Sequence, residues 1–161
     1  MKKLILIVIA CIFTLAPIAS YAGLHGRYAL DKKPLFAEIN AKIAKMPKQQ
    51  KAFAQMAINM IKSMEMFLTL KDTGSASLNM KISFFGRTRR KNGTGTWNKK
   101  GNIITLQITT PQKNKKPKQE TISCEVKKGN RLACVILGKR KKQTLFFEKT
   151  TAKPSLVPAP V

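Results

Sequence analysis

The residues of this chain that could do chemistry are few and scattered. One histidine, three cysteines and seven carboxylates are spread over 161 residues. General acid–base catalysis needs titratable groups converging on one bond. Asp31, Glu38, Glu65, Asp72, Glu120, Glu125 and Glu148 make no recognisable acid–base motif. His25 stands alone close to the expected start of the mature chain, where termini are usually mobile. Cysteine and histidine do not cluster at zinc-ligand spacing, and neither a GxSxG nor an SxxK nucleophile signature occurs. These absences point away from an enzyme, and the sequence implies no cofactor and no metal.

What remains is cation chemistry. Lys and Arg number 31 against 7 Asp and Glu, a formal net charge of +24. The stretch GRTRRKNGTGTWNKKG (86–101) sets arginines beside glycines, as a phosphate-cradling loop does. A P-loop, however, needs GxxxxGK[ST] ahead of a helix. Gly86 and Gly93 are seven apart, and Thr94 stands where lysine is required. Asn92-Gly93-Thr94-Gly95 therefore reads as a turn entering a strand, with Trp97 packing inside. Asn92-Gly93-Thr94 also has the pattern of an N-glycosylation acceptor.

The elements that position these residues change period along the chain. Gly26–Leu30 reads as a strand, and Pro34 opens a helical stretch with Leu35, Ile39, Ile43 and Met46 at helical spacing and Glu38 in its first turn. Pro47 starts a second helix with a broad apolar stripe of Phe53, Met56, Ile58, Met60 and Ile61. Its methionines suit either adaptable core or a groove for apolar ligands. From residue 65 alternation takes over: Met66, Leu68 and Leu70, then Leu78, Met80, Ile82 and Phe84. Strands at Thr94–Asn98, Asn102–Thr109, Glu120–Val126, Arg131–Leu137 and Thr144–Lys149 follow, separated by turn-forming and basic segments. That is a mostly β (α+β) chain of eight strands. An antiparallel meander of that length removes its edges by closing into a barrel, with the two helices inserted between strands 1 and 2.

Two features bear on how the meander is locked and charged. Were the 124–134 hairpin centred on Gly129, Cys124 and Cys134 would lie directly opposite, within disulfide reach. A two-residue Gly-Asn turn would instead offset them by one. In a meander, successive connections alternate between the two barrel ends. Three basic segments, expected as loops, then fall at the helical end. They carry Arg87, Arg89, Arg90 and Lys91; Lys113, Lys115, Lys116 and Lys118; and Lys139, Arg140, Lys141 and Lys142. Together they make a candidate anion-binding pole.

The segments GRYALD (26–31), FLTLKDTGS (67–75) and GTGTWNKKGNIITLQI (93–108) resemble small exported lipocalin-like barrel proteins of bacteria, over nearly the whole mature chain. Gly95-Thr96-Trp97 is similar to the lipocalin Gly-x-Trp signature, placed here after the helices and not in the first strand. The resemblance implies an exported barrel of the ligand-binding kind.

The chain start fits export. Lys2-Lys3, an apolar run from Leu4 to Ile18 and the small residues Ser20 and Ala22 describe a signal peptide cleaved after Ala22. The run is short for a membrane span, which needs about 20 residues. Val8-Ile9-Ala10-Cys11 resembles a lipobox, although the sequence after Cys11 stays apolar. The expected organisation is a signal peptide (1–22), one barrel domain (23–149) with helices over about 34–64, and a disordered tail (150–161). Without Lys2 and Lys3 the basic count falls from 31 to 29 against 7 acidic residues, a net +22.

Such a charge attracts anionic partners over several kT. The expected role is a periplasmic or secreted binding protein contacting anionic lipid, lipopolysaccharide or an acidic protein. Two other roles fit the composition: a carrier of a small apolar ligand in the barrel, and a secreted factor binding nucleic acid or host components. The three basic segments contain no aromatic for base stacking, which disfavours nucleic acid.

Overall fold

A computed structural model describes residues 23–137 and 142–151. The expected signal peptide (1–22) and most of the expected tail (152–161) lie outside the described residues, as do Lys139, Arg140 and Lys141.

Strand β1 (Gly26–Asp31) is followed by helices α1 (Lys33–Ala44) and α2 (Lys48–Ser63). Then come β2 (Glu65–Leu70), β3 (Ser75–Phe84), β4 (Arg87–Lys100), β5 (Ile103–Gln112), β6 (Lys115–Lys127), β7 (Arg131–Leu137) and β8 (Lys142–Thr150). Each strand pairs antiparallel with the next and β8 returns to β1, so the eight strands close into one barrel. The expected fold class holds.

The two prolines start the helices as expected: Pro34 sits in the first turn of α1, and Pro47 is the N-cap of α2. Glu38, expected in the first turn of α1, falls in the second and pairs with Lys42 one turn on. Leu35 of α1 and Ile61 of α2 join the barrel core, so the helical pair packs on the end where β1 finishes and β2 begins.

Inside the barrel the alternation of each strand supplies one buried row. Tyr28, Leu68, Leu70, Ile104, Leu106, Ile108 and Leu132 are essentially sealed from solvent. Each large apolar side chain so buried contributes about 1.5–3 kcal/mol. Burial also pushes the Tyr28 phenol above its ordinary pKa, and its hydroxyl donates to the Leu24 carbonyl at 2.7 Å. Trp97, 3% exposed, packs inside as expected, and its Nε1 donates to the Lys71 carbonyl at 2.8 Å. The indole thereby ties β4 to the turn between β2 and β3.

Cys124 and Cys134 form a disulfide between directly paired residues of β6 and β7, with Cα atoms 3.8 Å apart. The turn is centred on Gly129 (φ +74), which removes the alternative two-residue Gly-Asn turn. Both cysteines are buried in the barrel interior.

One expectation is overturned. Asn92-Gly93-Thr94-Gly95 is not a turn but the middle of β4, paired with Asn79, Leu78, Ser77 and Ala76 of β3. Its glycines answer to a crowded crossing with β5. A Cβ on Gly95 would lie 1.7 Å from the Gln107 carbonyl oxygen, and one on Gly93 would lie 2.5 Å from Ile108 Cγ2. The actual turn is Phe85-Gly86, both at positive φ, the type I′ geometry that matches strand twist.

Candidate functional site

Four strand boundaries differ from the sequence expectation, and the difference relocates the basic residues. Arg87, Arg89, Arg90 and Lys91 lie within β4, and Lys115, Lys116 and Lys118 lie within β6. Lys142 opens β8, and only Lys113, with Asn114, occupies a turn. The first two segments expected as loops are therefore mainly strand ends. Backbone pairing needs no apolar side chains, and solvent-exposed lysine and arginine are tolerated on both faces of a ladder that has left the barrel wall.

The registers show where that departure happens. β4 pairs with β5 only from Thr94 onward, whereas it pairs with β3 from Arg87. β3 pairs with β2 only as far as Lys81. Residues 82–84 and 87–89 thus form a two-stranded ribbon projecting beyond the closed barrel. Residues 110–118 project likewise, Thr110 facing Lys118 and Gln112 facing Lys115 around the Lys113-Asn114 turn.

Both ribbons stand at the end that carries α1 and α2, because connections alternate in a closed antiparallel meander. Nine of the sequence-derived cations are thereby at one end: four on β4, four at the β5–β6 turn and the start of β6, and Lys142. The helices add Lys33, Lys42, Lys45, Lys48, Lys51 and Lys62.

The carboxylates toward this end are engaged: Glu38 bonds Lys42 on α1, and Asp31, where β1 meets α1, bonds Arg131. Glu120 faces Lys91 at 4.0 Å and bonds Lys118, and Glu65 meets Lys81 at 3.6 Å. Arg87 and Arg89 have no carboxylate partner among the described residues. Arg131, which opens β7 at the opposite end, reaches Asp31 at 2.6 Å and Glu148 at 3.2 Å.

The interior opens between the two ribbons. A cavity of about 450 Å³ has Met66, Leu78, Met80, Ile122 and Ile136 as its apolar lining. Lys91, Lys118 and Glu120 line it as well, with the buried Thr110 hydroxyl. The arrangement is an apolar recess with a charged rim. Among the described residues, no three His, Cys, Asp or Glu side chains are placed to share a metal ion.

Set against protein-family models, curated proteins and solved structures, the chain matches none.

Sequence reasoning missed the tip of the β3–β4 ribbon. The alternation sets Phe84 in one row with Leu78, Met80 and Ile82 and says nothing of Phe85. Phe85 is instead 76% exposed at the turn, with Phe84 37% exposed beside it. The signal that could have found them was Phe-Phe-Gly directly before RTRRK: a glycine turn there puts both rings and the arginines on one hairpin.

Proposed function

We propose that this protein is an exported, non-catalytic binding module with a lipocalin-like barrel, which applies its basic, helix-bearing end to an anionic surface of the cell envelope. Lipid headgroups or lipopolysaccharide fit that description, as does an acidic protein. The observation that carries the reading is the convergence of two projecting basic ribbons and two lysine-bearing helices on one barrel end. Clustered Lys and Arg gain about 1 kcal/mol each near an anionic membrane surface, and the gain is screened within a Debye length. The cations that lack carboxylate partners are the ones with most to gain.

The test is co-sedimentation with phosphatidylglycerol vesicles across a salt series. Charge reversal of Arg87, Arg89 and Lys116 should weaken binding much more than reversal of Lys71, Lys100 and Lys128 at the opposite end. Equal losses from the two sets would mean that net charge alone acts, and the reading would fall.

The cavity favours a second reading, carriage of a small apolar ligand with an anionic head. Its apolar lining takes the hydrocarbon, and Lys91 and Lys118 take the head. An apolar fluorescent probe should then bind, and Ile122→Trp should displace it. A probe that ignores the substitution would remove this reading.

A further inference from the structure

We propose that the β3–β4 hairpin is a membrane-insertion element: Phe85, with Phe84 beside it, enters the acyl region of an anionic phospholipid bilayer while Arg87 and Arg89 hold lipid phosphates. The proposal rests on the basic-end reading and deepens it by naming the partner and the part that enters it.

Two cross-strand pairs define the inner face of the ribbon, Ile82 with Arg89 and Phe84 with Arg87, and Met80 with Lys91 continues the same row into the cavity. One strand therefore presents an apolar column and the other a cationic column, side by side. Directly paired residues share a face with Cβ atoms about 5 Å apart. A surface that alternates this way across its width matches neither water nor hydrocarbon alone. It matches the boundary between phosphate and acyl chain.

The tip supports the same conclusion. The Phe84 and Phe85 rings lie 4.2 Å apart, Phe85 in the turn itself and Phe84 level with Arg87, its cross-strand partner. Phe85 holds φ +47, a conformation that a bulky L residue adopts at a cost. The neighbouring β5–β6 turn uses Asn114 at φ +59, a residue that tolerates it. Turn chemistry thus explains asparagine in one hairpin and does not explain phenylalanine in the other. Strain of this kind persists where something other than folding uses the side chain.

Helix α2 extends the apolar edge. Met56 and Met60, 38% and 39% exposed, lie on the helix stripe that continues to Ser63. The Ser63 hydroxyl donates to the Ser83 carbonyl, next to the two phenylalanines. A bilayer accounts for this order better than nucleic acid does, because stacking platforms sit within a cationic groove. Here Phe85 stands beyond the cations, at the turn, and is the most exposed of the described large apolar side chains.

The test uses vesicles of phosphatidylglycerol mixed with brominated phosphatidylcholine and the purified protein carrying Phe85→Trp. The new indole should shift to the blue and be quenched by the brominated lipid. Trp97, sealed in the barrel and bonded to Lys71, should report no change. Phe85→Asn places a residue suited to positive φ in the turn, so it should keep or raise the melting temperature while lowering vesicle affinity roughly tenfold or more.

Binding without quenching, or unchanged affinity in Phe85→Asn, would overturn insertion and leave the basic-end reading standing. Absence of binding to phosphatidylglycerol vesicles by the unaltered protein would overturn both. Equal binding to pure phosphatidylcholine would overturn the role given to the cations. Phe85-dependent binding to single-stranded DNA with none to vesicles would overturn the bilayer in favour of nucleic acid.

Discussion

Gly95 and Gly101 are one residue type in two opposite situations. At Gly95 the β5 backbone occupies the place of a side chain, with the Gln107 carbonyl oxygen 1.7 Å from a would-be Cβ. At Gly101 the φ of +63 is the only demand, and nothing lies within 4 Å. Gly95→Ala must therefore push two strands apart, and should cost about 3 kcal/mol or more. Gly101→Ala should cost only the left-handed conformation, about 1–2 kcal/mol. Urea denaturation of the two variants checks the ranking, and equal costs would refute the crowding argument. The same crowding explains why Asn92-Gly93 deceives as a turn dipeptide. Local chemistry gives glycine two meanings, freedom and smallness, and only the neighbouring strand tells them apart.

At the scale of elements, the β6–β7 hairpin and the β3–β4 ribbon differ in how much of them the sequence discloses. In β6–β7 the turn residues and two alternating apolar rows narrow the register to two, of which the structure adopts the one centred on Gly129. The disulfide position follows from counting outward from Gly129. Replacing Cys124 and Cys134 together by Ala should cost about 2–3 kcal/mol in denaturant, given the short loop they close. The barrel should stay folded, because Cys124 and Cys134 are also held in their ladders by Ile104 and Leu145. Loss of the β-sheet circular dichroism signal in the double variant would show that the bridge does more than tighten the hairpin. In β3–β4 the run RTRRK has no alternation to read, since both of its faces meet solvent. Its strand character comes from the partner strand, so its length could not be inferred from its own residues.

Taken as a whole molecule, the chain has a formal net charge of +24, and the helical end of the barrel holds much of the described part of it. Like charges at that density repel one another and oppose compaction. Adding salt should therefore stabilise the protein while weakening its attachment to anionic vesicles. Raising sodium chloride from low to physiological strength should add about 1 kcal/mol, roughly 4 °C in melting temperature at this chain length. A flat melting temperature across the series would mean that the charges are already compensated, and the positive pole would lose its physical basis. The opposite salt dependences of folding and binding are the signature of one charge distribution acting in both.

The sequence by itself determined the eight strands, the helical insertion after the first, the two registers open to the cysteine hairpin and the excess of cations. Each of these is written in local periodicity, turn residues or composition. Only the tertiary structure decided that two of the basic segments are ribbons reaching beyond the barrel, that Gly93 and Gly95 serve a strand crossing, and that Phe85 tips an arginine-bearing hairpin. The physical reason is common to all three. Where a strand leaves the wall, and what faces a glycine across the sheet, depend on residues far away in the chain, and no local pattern records them.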